Sequence, residues 1–550
     1  MITFEREPNS YNHWKFEIDG IKATLNLNVS EDKGIQPGYE LKLNSYDLGV
    51  DIELNDALQR IRFEHPKVKI VVITSAQDKN FSAGANIYML GLSDHPSKVN
   101  FCKFTNETRN SFEDSSNNGS IKFLAAINGI CAGGGYEIAL ACDEILLIDD
   151  HSSTVSLPEL PLLGVLPGTG GLTRLVDKRK VRRDVVDLFC TNADGIRGKK
   201  ALEWGLIDYL DPPSKFSSLI KDRTDRLSQK VNLRNGKKGI KFSSLNKKIT
   251  KNSINYKNVF VKIDRKKNIA ELKILGPKNE DLIKQKDINS QTDDWWPIKV
   301  TRELDDAILM LRTNELDIGV ITITSQGSIE NTLKISEFIY ENKDHWLINE
   351  IIGFYRRTIS RFDVSSRSLF AHIEEGSCFA GLLLELVLAA DRSYMLNNSL
   401  NKEKSNFGPF ISASDINFEG LEMANGQSRI LTRFSGNINL IDLIYSEKNN
   451  LLNAEAAFSS GLITVIPDDL DWAEEIRVSV EERSSFSPDA LSGLEANLRF
   501  PGKENLSTKI FGRLSAWQNW IFYRPNASGN KGALKLFGSG TRAKFDKKRV

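Results

Sequence analysis

The feature that most limits how this chain can fold is an internal echo, weak in identity but ordered along the sequence. Glu53-Leu54-Asn55-Asp56-Ala57 leads through a helical pattern into the β-branched run Val68 to Ser75, and Glu303-Leu304-Asp305-Asp306-Ala307 leads into Ile318 to Ser325. Ile127 through Glu137, Ala141 and Asp143 is answered by Gly376 through Glu385, Ala389 and Asp391. Leu172-Thr173-Arg174 returns as Leu431-Thr432-Arg433, and Ala201 with Gly205-Leu206-Ile207 as Ala457 with Gly461-Leu462-Ile463. Four spaced matches in one order imply two copies of one unit. Short β-branched segments alternate with amphipathic helical stretches in each copy, which indicates α/β layering. With 550 residues there is ample chain for two such cores and a tail. The expected division is 1–225, a connector 226–256, a second copy 257–471, and a helical, aromatic tail 472–550.

Composition removes several classes of function. The formal net charge of +1 gives no global field toward nucleic acid or an anionic membrane. Met1 to Arg6 has no apolar signal core, and the greasiest run, Gly381 to Ala390, is short and interrupted by Glu385, so a soluble, cytoplasmic protein is expected. Five unpaired-looking cysteines, Cys102, Cys131, Cys142, Cys190 and Cys378, suit reduced thiols, and the six histidines form no metal-binding spacing. Lys221 to Asn268 carries sixteen basic and three acidic residues. A solvated connector is the ordinary account of that stretch; a cationic rim for a phosphate-bearing ligand is the sharper one, and nucleic-acid binding comes third.

Chemistry concentrates in three segments of the first copy. Phe81-Ser82-Ala83-Gly84-Ala85-Asn86 follows a strand, and its small residues let backbone N–H groups approach a ligand. Gly133-Gly134-Gly135 precedes an apolar helix, putting free N–H groups and the positive dipole end where an anion could develop. Glu137 sits in the first turn of that helix. Leu157-Pro158-Glu159-Leu160-Pro161 places a carboxyl among apolar neighbours, which should raise its pKa and suit proton transfer. Each segment alone has a plain structural explanation: a turn, a dipole partner, a loop acid.

Together the three resemble the crotonase (enoyl-CoA hydratase/isomerase) superfamily. That resemblance implies an oxyanion hole from the Ala85 and Gly134 amides, with Ala83, Gly84, Asn86, Gly133 and Gly135 shaping the CoA-thioester site. It also implies a catalytic pair, Glu137 and Glu159. Such a hole suits a thioester enolate. The second copy departs where it matters: Gly381-Leu382-Leu383 replaces the glycine run, no Ala-Gly-Ala turn follows Gly327, and Glu385 has no clear counterpart of Glu159. It is expected to be catalytically silent.

Within the superfamily the chain is most similar to the benzoyl-CoA-dihydrodiol lyases, also called 2,3-epoxybenzoyl-CoA dihydrolases. The matching segments include Trp295-Trp296-Pro297, Val364 to Phe370, Gly376 to Gly381, Asn425 to Arg429 and Trp517 to Asn526. The resemblance implies ring opening of 2,3-epoxy-2,3-dihydrobenzoyl-CoA or its dihydrodiol with water, giving formate and a C6 semialdehyde thioester. CoA belongs to the substrate, no separate cofactor is needed, and the expected assembly is a homodimer without nucleic-acid or membrane partners. A catalytic cysteine is implied at Cys102, whose alternative is a small buried packing residue beside Phe101 and Phe104. Two other functions stay open on sequence: hydration or isomerisation of another acyl-CoA, and a non-catalytic or RNA-binding scaffold.

Overall fold

The computed structural model describes residues 1–231, 234, 236, 238–398 and 408–550; positions 232, 233, 235 and 237 of the expected connector lie outside the described residues. Two compact units result, one of Phe4–Phe242 with Asp344–Gly353, the other of Met1–Thr3, Ser243–Lys343 and Phe354–Val550. The basic stretch is therefore shared, its residues up to 242 falling in the first unit and those from 243 in the second.

The first unit contains strands β1 (Trp14–Asp19), β2 (Lys22–Leu27), β3 (Ser45–Tyr46), β4 (Ile70–Ser75), β5 (Lys79–Ser82), β6 (Gly84–Ala85), β7 (Lys122–Ile127), β8 (Gly129–Ala132), β9 (Glu144–Ile148), β10 (Val155–Ser156) and β11 (Tyr209–Asp211). Six of them form a sheet in the order β1-β2-β4-β7-β9-β11. Only β1–β2 is antiparallel; the other pairs run parallel. Parallel strands need covered faces, and β4, β7 and most of β9 are buried runs of Ile, Val, Leu and Ala. Helix Pro213–Ser228 lays Phe216 and Leu227 on Ile70, Val72, Leu124, Ala126 and Leu146. A fully buried Leu or Phe contributes about 1.5–3 kcal/mol over an exposed one, and Arg223 of the same helix adds an ion pair to Glu144 of β9 at 2.6 Å.

Beyond the carboxyl ends of the central strands the chain makes a second, small parallel sheet, β10-β8-β5, and a two-stranded pair, β3-β6. These position the site. Helices α1 (Leu48–Glu64), α2 (Ile87–Leu92), α3 (His95–Asn117), α4 (Gly134–Ala141) and α5 (Glu159–Leu163) flank them. Asp47 caps α1 by accepting from Gly49 N at 2.8 Å and Val50 N at 3.3 Å. Asn44, in the left-handed region at φ 50°, accepts from Val29 N and donates to Ser75 Oγ and Phe81 O. One side chain thereby ties three segments at the entrance to β3.

The second unit holds a seven-stranded sheet of β12 (Lys248–Ile249), β13 (Ser253–Asn255), β14 (Val259–Asp264), β15 (Ile269–Leu275), β16 (Val320–Gln326), β17 (Ser368–Ile373) and β18 (Arg392–Met395), in chain order. β14–β15 is antiparallel and β15 to β18 are parallel, as in β1–β2 and β2-β4-β7-β9. Helix Trp472–Ser485 packs Val480, Trp472 and Ile476 on Val320, Phe370 and Tyr394. The first helix after residue 471 is therefore a layer of this sheet. Helical segments continue from Pro488 to Leu536. Among the described residues no helix is long and apolar enough to cross a membrane.

Candidate active site

Two glycine turns meet at the end of the first sheet. Gly84 has φ 81°, and a Cβ there would fall 2.7 Å from Gly134 N and 2.8 Å from Ala132 O. Gly133 has φ 52° and leads into α4 as a cap without a side chain. Both positions require glycine, one for close approach and both for backbone sign. The Gly133 amide is held by Ser156 O at 2.9 Å, while Gly134 and Gly135 open the helix, where N–H groups lack intrahelical acceptors. The turns containing Ala85 and Gly134 are thus face to face. Asn86 uses its side chain on the fold, accepting from Met89 N at 2.8 Å and donating to Glu40 O at 2.8 Å and Ser45 Oγ at 3.0 Å. Ala83 is exposed at the turn's edge, its amide donating to Leu43 O at 3.0 Å.

Glu137 is buried, at 2% exposure. Its carboxylate accepts from Thr169 N at 3.0 Å, Gly171 N at 2.8 Å and the Thr169 hydroxyl. A Cβ on Gly171 would lie 2.9 Å from Glu137 Oε1, which explains that glycine. The loop carrying Thr169 is itself clamped to α3: Arg174 donates to Thr169 O at 2.9 Å and pairs with Glu113, and Asn106 donates to Gly168 O at 3.0 Å.

Glu159 opens α5, and its carboxyl reaches the glycine run: a Cβ on Gly133 would lie 2.9 Å from its Oε1. Oε2 is buried with no hydrogen-bond partner among the described residues. Burial first, then the nearby charge of Glu137, pushes its pKa up to about 7. The two glutamates named from sequence therefore come together at one turn in different settings, one held by three donors and one with an unpartnered oxygen. Beyond Glu159, Leu160, Leu162, Leu163, Val165 and Leu166 are exposed and form an apolar rim.

Cys102 lies on α3 with its Sγ close to Gly168, where a Cβ would be 3.8 Å away. Burial and the charge of Glu137 push the thiol up to about 11, so it stays protonated at neutral pH. Cys131, Cys142, Cys190 and Cys378 are buried. Among the described residues no group of three or more His, Cys, Asp or Glu could hold a metal. Sequence reasoning missed Tyr46, whose hydroxyl would fall 1.9 Å from a Cβ on Gly134, and the buried Arg109 and Asp51 behind it. Thr169, whose amide and hydroxyl hold Glu137, was missed as well.

Parallel strands ending in two facing glycine turns, with paired acids beside them, define the enoyl-CoA hydratase/isomerase class, and residues 40–271 match that family. Part of the chain is also 31% identical, over 33% of its length, to the fatty acid oxidation complex subunit alpha of Aliivibrio fischeri, covering 26% of that protein. A solved enoyl-CoA hydratase of Geobacillus kaustophilus is 32% identical, covering 40% of this chain and 75% of that one, with a TM-score of 0.35. End to end, the chain is 54% identical to the benzoyl-CoA-dihydrodiol lyase of Aromatoleum evansii, over 100% of this chain and 98% of that protein. The chain belongs to the benzoyl-CoA-dihydrodiol lyase family.

Proposed function

We propose that the protein opens the ring of 2,3-epoxy-2,3-dihydrobenzoyl-CoA with two molecules of water, or of the corresponding dihydrodiol with one, releasing formate and leaving 3,4-dehydroadipyl-CoA semialdehyde. One observation carries this reading: the glycine turns and both acids are intact in a chain that matches a benzoyl-CoA-dihydrodiol lyase over its whole length. Breaking a bond beside the carbon alpha to a thioester sends electrons toward the thioester oxygen. Amides of Ala85 and Gly134, preorganised by the two turns, would receive that charge, and such a donor is worth a factor of about 10²–10³ in rate. Glu137, an acceptor already fixed by three donors, orients and deprotonates water. Glu159, whose carboxyl holds its proton up to about pH 7, donates it to the leaving oxygen. Cys102 acts as a neutral thiol, packing the Thr169 loop that holds Glu137. The apolar rim around Glu159 receives the ring.

CoA arrives with the substrate, and the reaction asks for no other cofactor. The second unit is inferred to be a silent copy of the first. Bonds recur in register: Gly133 N to Ser156 O and Gly381 N to Ser412 O, Phe123 N to Asp143 and Leu369 N to Asp391, Leu206 N to Ala201 O and Leu462 N to Ala457 O. In the position answering Gly134, the Leu382 amide donates to Ser336 Oγ at 2.9 Å, and Glu385 is locked by Arg429 at 2.9 Å and Asn417 at 2.8 Å. Such a site has neither a free donor nor a free carboxylate. A cytoplasmic homodimer completes the proposal.

Glu137→Gln and Glu159→Gln test it directly. Each should lower formate release by roughly 10²–10⁴-fold while a benzoyl-CoA thioester still binds. Near-native rates in both variants would remove the acid–base assignment.

A further inference from the structure

Tyr46 touches both halves of the site at once. Its backbone pairs in β3 with Ala85 of β6, and its carbonyl accepts from Asn86 N at 2.9 Å. Its phenol crosses to the other turn, where the hydroxyl fills the space a side chain on Gly134 would need. The ring is 1% exposed, packs on Phe101 at 6.0 Å between centroids, and has Arg109 Cζ 5.4 Å from its own. Arg109, fully buried on α3, donates to the Tyr46 hydroxyl at 3.1 Å and pairs with Asp51 of α1. The phenol is therefore held from α3, through an arginine braced by α1, while its backbone is held in a strand.

A pair kept only for stability would be poorly made. Asp51 Oδ2 and Arg109 Nε are buried without hydrogen-bond partners among the described residues, and a buried ion pair is a weak stabiliser compared with well-packed apolar residues. What the pair does achieve is fixed geometry at the hydroxyl. We propose that Tyr46 is the positioning residue of the oxyanion site, setting the separation of the Ala85 and Gly134 amides, with Arg109 and Asp51 holding its hydroxyl in place. This rests on those two amides being the donors to the thioester oxygen.

The test uses Tyr46→Phe, which keeps ring and backbone, and Asp51→Asn/Arg109→Gln, which removes both charges together and leaves no lone buried ion. Benzoyl-CoA labelled with ¹³C at its thioester carbonyl is the probe, read by difference infrared spectroscopy in the full-length protein. In the native protein the bound carbonyl band should move to lower wavenumber than in free benzoyl-CoA. In Tyr46→Phe it should return part of the way, with kcat for formate release down roughly 10- to 100-fold, as sub-ångström misplacement predicts. KM should stay within about 3-fold, since the lost interaction acts chiefly in the transition state. The double variant should follow the same pattern. A native-like band and kcat in Tyr46→Phe would overturn the proposal; if that variant does not fold, a native-like band in the double variant does so. An unshifted band in the native protein would fail the oxyanion assignment itself, and the positioning role with it.

Discussion

Glu159 is where the chemistry can be titrated. Its pKa of about 7 means that the proton is held below that pH and lost above it, so kcat/KM should decline on the alkaline side with a midpoint near 7. A pH–rate profile of Glu159→Gln should lose that limb and keep a low, flat residual rate; a limb that survives would belong to another group. The same raised pKa works against the folded state when ionised: its contribution to stability is present below the unfolded value of 4.5 and lost as pH rises through about 7. Cys102 gives a second reading. With its thiol pushed up to about 11, alkylation by iodoacetamide should be slow at pH 7 and accelerate until about pH 11; fast alkylation at neutral pH would indicate a thiolate and revive a nucleophilic role. Gly84→Ala forces a Cβ at φ 81° to within 2.7 Å of Gly134 N, where only backbone can give way. Strain of about 1–3 kcal/mol and a loss of formate release of at least about 10²-fold should follow.

At the level of elements, the layering was legible because period-2 and period-3.6 patterns are local: β4 and β16 were both read from their β-branched runs, and the structure starts them at Ile70 and Val320. The glycine turns were legible because a run of residues with little or no side chain marks a place where backbone amides can approach a ligand. What the sequence hid is contact across the fold. Tyr46 is an ordinary residue of a short strand until α3, some 60 positions later, brings Arg109 to it. The helix Trp472–Ser485 was likewise read as the start of a tail, because nothing local marks its face as a sheet cover. Phe216 anchors the helix Pro213–Ser228 on the sheet of the first unit, and Phe216→Ala should lower stability by about 3–5 kcal/mol in urea unfolding. A loss below 1 kcal/mol would mean that the helix is held elsewhere.

Across the whole molecule, the first unit holds the two glycine turns and both acids, and the second is the proposed silent copy. The buried triad of the second unit gives this contrast an observable. Arg429 pairs with Asp363 at 2.6 Å and Glu385 at 2.9 Å, all three nearly inaccessible. Arg429→Met would strand two buried carboxylates and should destabilise the protein by roughly 3–5 kcal/mol, yet leave formate release per folded molecule unchanged. Equal loss of kcat would assign that triad a part in the chemistry. The central claim concerns the reaction itself, and formate decides it. Enzymatically generated 2,3-epoxy-2,3-dihydrobenzoyl-CoA is incubated with the full-length protein, formate is quantified, and the CoA product is followed by mass spectrometry. The account predicts one formate per substrate consumed together with a C6 semialdehyde thioester. Absence of formate from a folded protein that hydrates a crotonyl-type thioester instead would contradict it.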